Sequence, residues 1–147
     1  MSSRDFMFSG GSLLRRSVEL LWLYRRAAAT CEPGLRLVLE EHAQTLAALV
    51  GDLRASPLTF EPRWKQVPAI GADVLHRRVV GGLMRATGNH DRAWIALVAR
   101  REAVLLRAFE QAAQHAPAAA GYVLDHQLHR LRGLYRDMHC LTAASGG

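Results

Sequence analysis

Lysine is nearly missing from this chain: of its 19 basic residues only Lys65 is a lysine, and the other 18 are arginines. Cysteine is scarce as well. Two cysteines, Cys31 and Cys140, supply neither a disulfide framework nor a four-ligand zinc site. No apolar run approaches the ~20 residues of a membrane span, and Met1 to Ser12 lacks the apolar stretch of a secretory signal, so a cytoplasmic protein with no membrane partner is expected. With 12 glycines and 5 prolines in 147 residues, half of them hydrophobic, collagen-like repeats and disorder are excluded. Strand-like alternation of any length is also missing, which leaves an all-α chain. A chain of 147 residues buries enough surface to stand as one domain, 1–147, with flexible tails expected at 1–11 and 142–147.

What is present is helical spacing almost throughout. A first helix is expected from about Ser12, a plausible N-cap, to about Cys31, where Glu32-Pro33-Gly34 punctuates the chain. The second follows from about Pro33 to about Arg54, with the stripe Leu35, Leu39, His42, Leu46, Leu49, Leu53. Residues 55–70 carry Pro57, Pro62 and Pro68 with Phe60 and Trp64, which reads as an extended connection, and Gly71 to Thr87 reads as a shorter helix. Gly88-Asn89-His90-Asp91 combines a C-cap with capping residues for the next long helix, which runs to about His115 on Trp94, Val98, Glu102, Leu105, Phe109 and Ala112. After Ala116-Pro117 a last helix extends to about Leu141 on Leu124, Leu128, Leu131, Tyr135 and Met138.

Four long helices joined by a tight turn, a long crossover and a second tight turn describe a ferritin-like four-helix bundle, up-down-down-up, with an extra short helix in the crossover. Over Leu13 to Leu141 the chain resembles a bacterial ferritin-like family classed as a domain of unknown function. The residues that carry the resemblance are Tyr24-Arg25-Arg26-Ala27-Ala28, Pro33 with Leu35, and the segment Glu41 to Ala43. Farther along they are Leu75-His76-Arg77, Thr87-Gly88 with Asp91 and Ala93, Arg100 and Glu102 leading to Ala108-Phe109, and Gln127-Leu128. The family brings a fold and no settled activity. This chain also departs from it: acidic residues usually stand where Leu21 and Trp22 are, the second helix is usually richer in Glu near Thr45, and a histidine usually stands at Tyr135. These departures weigh against an inherited metal role.

A di-iron centre of this fold needs a carboxylate from each of two helices and Glu-x-x-His from each of the other two. No histidine here has Glu three places before it: Leu39 precedes His42, Val123 precedes His126, His126 precedes His129 and Arg136 precedes His139. What survives is a pair of polar breaks in apolar stripes, His42 and Glu102. His42 lies about nine residues below Pro33 and Glu102 about eleven below Asp91, so at ~1.5 Å rise per residue their depths differ by only ~3 Å. Tyr24 is expected one layer above. The pair reads either as a degenerate or mononuclear position for iron or manganese or as a buried His-Glu hydrogen bond that fixes helix register, the latter being favoured because two ligands are too few for tight binding.

The helix segment Leu20, Leu21, Trp22, Leu23 is hydrophobic around its whole circumference, where a bundle helix needs one stripe, and marks these four residues as a candidate subunit interface. The arginine groups Arg77-Arg78, Arg100-Arg101 and Arg130/Arg132/Arg136 raise nucleic-acid binding, but acidic residues are interspersed and no aromatic platform accompanies them. His126 and His129 share a face and raise a surface metal site. The expectation is a non-catalytic bundle without a cofactor that self-associates into a homo-oligomer such as a dimer, or binds a protein partner. A metal-binding ferritin-like enzyme is the first alternative and an arginine-rich nucleic-acid-binding bundle the second.

Overall fold

The computed structural model describes residues 3–56 and 90–145. Among them there are four helices and no strand: α1 (Ser3–Thr30), α2 (Pro33–Ala55), α3 (His90–Gln114) and α4 (Ala118–Ser145). The expected connection and the short helix at 71–87 lie outside the described residues. Two ends differ from the sequence reading. α1 begins at Ser3, so Ser12 is interior to it, and α4 continues through the segment expected as a tail to Ser145.

The α1–α2 turn is closed locally. The Cys31 N–H donates to the Ala27 carbonyl at 2.9 Å and finishes α1, while the Glu32 carboxylate accepts from the N–H groups of Gly34 and Leu35 at 3.2 and 2.8 Å and starts α2. Pro33 at the first helical position has no N–H to satisfy, which is why it fits there. Pro117 similarly ends one helix and begins the next, its carbonyl accepting from Ala120 and Gly121 at 3.0 and 2.9 Å.

The helices form two close pairs, α1 with α2 and α3 with α4. α1 also packs along α3, and α2 meets α4 more sparingly. Their buried faces follow the 3-4 spacing of an apolar stripe: Leu39, Leu46, Leu49 and Leu53 in α2, and Trp94, Val98, Leu105 and Phe109 in α3. In α4 the core residue is Leu134, 5% exposed, while Tyr135 is 37% exposed and does not belong to the stripe assigned to it. One residue separates the two outcomes: Leu134 follows Leu131 at spacing 3, and Met138 follows Leu134 at spacing 4. The leucine run of α1 is likewise mostly internal. Leu20, Leu21 and Leu23 are buried and Trp22 is half-buried against the same core. Three of the four candidate interface residues are therefore already covered.

Interhelical polar contacts give the alignment. The Glu32 N–H, in the α1–α2 turn, donates to Asp91 Oδ2 in the first turn of α3 at 3.2 Å. Asp52 near the end of α2 accepts from Gln127 Nε2 and from Arg130 Nη1 in α4 at 3.3 and 2.6 Å.

Candidate functional site

The two polar breaks, His42 and Glu102, lie at one level of the bundle, where each helix contributes one side chain to a run of contacts. Tyr24 of α1 and Glu102 of α3 are fully buried, and His42 of α2 is 4% exposed. The Tyr24 hydroxyl donates to Glu102 Oε2. Its ring stands edge-on to the His42 imidazole, with centroids 5.7 Å apart and planes at 67°. On the far side His42 Nε2 lies 3.3 Å from Oδ2 of Asp137 in α4, whose side chain is 66% exposed. The contacts thus run Asp137, His42, Tyr24, Glu102, from solvent to the centre.

His42 and Glu102 are both buried, but they do not hydrogen-bond to each other. Tyr24 holds one and Asp137 holds the other, and the two remaining polar atoms, His42 Nδ1 and Glu102 Oε1, have no partner among the described residues. The expected direct His-Glu bond is corrected accordingly: Tyr24 lies within the layer, touching both, rather than above it. The sequence reading missed Asp137. It is an acidic residue on the solvent side of α4, and no stripe is broken by it.

Burial sets the charges. It pushes the Glu102 carboxyl up to about 8, with a further push from the Asp137 charge and only partial opposition from the Tyr24 hydrogen bond. Glu102 is therefore mostly a neutral acid at pH 7. His42 is held below the ordinary imidazole range by burial, against the pull of Asp137 and Glu41, so its ring is neutral too. Tyr24 is raised far above the phenol range by burial and then by the Glu102 charge. The site is a hydrogen-bonding layer of neutral groups with one charged end at the surface.

Among the described residues no three His, Cys, Asp or Glu side chains are grouped closely enough to hold a metal ion. His126 and His129 are exposed on either side of Gln127, which is buried. The α4 arginines are engaged within the chain. Arg130 pairs with Asp52 at 2.6 Å, Arg132 lies 3.8 Å from Glu110, and Arg136 Nε donates to the Arg132 carbonyl at 3.3 Å.

Two clefts lined by described residues open on the surface of α1. One, about 190 Å³ between α1 and α3, has Leu20, Leu23, Leu105 and Val104 along its walls and Arg16, Glu19 and Arg101 at its edge. The other, about 330 Å³ between α1 and α2, is lined by Ala28, Ala29, Ala43 and Ala47 with Arg25, Glu40 and Gln44. Neither is lined by a residue of the polar layer. No family model matches the chain, and no curated protein or solved structure matches it. No described helix is long and apolar enough to cross a membrane.

Proposed function

We propose that this chain is a ferritin-like up-down-down-up bundle of the bacterial family of unknown function that it resembles, and that it works without catalysis, by associating with itself or with a protein partner in the cytoplasm. The tie between the α1–α2 turn and the start of α3 supports that topology, since it puts the first turn of α3 at the end of the bundle where α2 begins. The pairing of Asp52 with Gln127 and of His42 with Asp137 supports it again: going down α2 means going back up α4.

The observation that carries the non-catalytic reading is the composition of the layer. A di-iron centre of this fold draws on about four carboxylates and two imidazoles. The layer offers one core carboxyl, bound to a phenol O–H, and one imidazole turned toward an aspartate at the surface. Among the described residues the donor set does not fit the di-iron centre. The layer's work is to align four helices, which a fully apolar core does poorly.

The runner-up, a mononuclear iron or manganese protein, draws on the unpartnered His42 Nδ1 and Glu102 Oε1. Elemental analysis of protein purified without chelator separates the two: substoichiometric metal is expected, and one or two iron or manganese ions per chain overturns the leading reading. The third reading, an arginine-rich nucleic-acid binder, predicts retention of DNA or RNA at low salt that falls steeply as salt rises. Binding with that salt dependence supports it over the leading reading.

A further inference from the structure

We propose that the cleft between α1 and α3 is the surface on which two copies of this chain meet, with Glu19 of each copy facing Arg101 of the other. The inference rests on the self-association reading above and gives it a location. Buried Leu20, Leu23 and Leu105 form the apolar floor, and this is where two members of the leucine run border an opening on the surface. Val104, 41% exposed, continues that apolar surface outward and is one of the few large aliphatic side chains so exposed among the described residues.

The edge selects the occupant. Arg16 and Arg101 are exposed, Glu19 is half-exposed, and none of the three has a hydrogen bond or ion pair among the described residues. An edge of one sign would suit an ion of the opposite sign. This edge carries both, so a small anion drawn to the arginines meets the Glu19 carboxylate, whereas a second copy offers its Arg101 to Glu19 and its Glu19 to Arg101. In a two-fold dimer every contact occurs twice, so one Glu19–Arg101 pairing yields two ion pairs flanking an apolar centre. Glu19 on α1 and Arg101 on α3 lie on opposite sides of the cleft, so the two positions are distinct on each copy.

The test uses two charge reversals, separately and mixed. Light scattering and sedimentation of the wild-type chain over a range of concentrations are expected to give a dimer. Glu19→Arg places two positive charges at the paired positions, and Arg101→Glu places two negative charges there, so each variant alone shifts to monomer, with a dissociation constant raised tenfold or more. Mixing the two variants restores the dimer. Within each variant the intrachain charges remain alike, so recovery on mixing arises only from contact between copies. Both substitutions are at the surface, and unchanged circular dichroism and melting temperature exclude unfolding as the cause.

A wild-type chain that stays monomeric at high concentration overturns this proposal together with the self-association reading. A wild-type dimer that neither reversal weakens, or whose weakened variants do not recover on mixing, overturns the assignment of the Glu19–Arg101 face and leaves self-association standing. Val104→Glu gives a separate reading of the apolar centre and is expected to abolish the dimer. A dimer untouched by it also defeats the proposal.

Discussion

Tyr24 and Glu102, 78 positions apart in sequence, meet in the middle of the core, and the phenol O–H is the one hydrogen-bond donor that the Glu102 carboxyl has among the described residues. The relationship is lopsided. One carboxyl oxygen is satisfied and the other is not, so the energetics of the layer depend strongly on Tyr24.

Replacing Tyr24 with Phe removes that donor while keeping the ring. Both Glu102 oxygens are then buried without a partner, at a cost of about 1 to 3 kcal/mol in urea unfolding. Removing both polar groups with Tyr24→Phe and Glu102→Leu leaves an apolar contact, and most of the loss is expected to return. A double variant less stable than Tyr24→Phe alone counts against the assignment.

Stability should depend on pH through Glu102. Its carboxyl titrates near 8 in the folded chain against an ordinary 4.5, so the folded state binds the extra proton between those values. The stabilisation is complete below about 4.5 and is lost as pH rises through about 8, with a slope of up to about 1.4 kcal/mol per pH unit. His42 acts in the opposite sense: with its pKa lowered from 6.5, its contribution is present above that value and lost as pH falls through the folded one. Subtracting the unfolding curve of Glu102→Gln from that of the wild type isolates the first effect. A flat difference between pH 5 and 8 contradicts it.

Asp137 is the exposed partner of a buried ring, and its charge opposes the effect of burial on His42. Asp137→Asn should lower the His42 titration midpoint further, as read from the imidazole resonances in NMR. Because the aspartate is largely in water, the expected loss of stability is about 1 kcal/mol or less. An unchanged midpoint separates the two residues.

The cysteines should differ in reactivity. Cys31 is buried, and its thiol is pushed up to about 12, first by burial and then by Asp91, so almost no thiolate exists near neutrality. Cys140 is exposed. A maleimide is expected to label Cys140 in the native chain and to reach Cys31 only after unfolding, with mass spectrometry of the digested protein giving the site.

The four helices were legible because leucines recur at spacings of 3 and 4 over long stretches, and the breaks at His42 and Glu102 were legible because each replaces an apolar residue in such a series. Their partners were not. A stripe states which face is buried and is silent about which side chain opposite donates a hydrogen bond, so equal depth sets the two breaks at one level without showing what joins them. Tyr24 is amphipathic and fits an apolar stripe without disturbing it, and Asp137 faces water, where an acidic residue is unremarkable. The exchange of Leu134 for Tyr135 has the same origin: adjacent large residues on a helix differ by about 100° in direction, and either one continues a 3-4 series.

The hydrogen-bonding side of the layer has a consequence for assembly order. α1 with α2, and α3 with α4, are each closed by a short turn and each carry leucine-rich faces. Tyr24 to Glu102 joins the first hairpin to the second, and so does His42 to Asp137. Two such hairpins docked one helical turn out of place, about 5.4 Å, would still set leucine against leucine. They would also strand Glu102 among hydrocarbon side chains with no donor in reach. The polar layer therefore acts as an alignment key, rejecting neighbouring registers that the apolar contacts alone would tolerate.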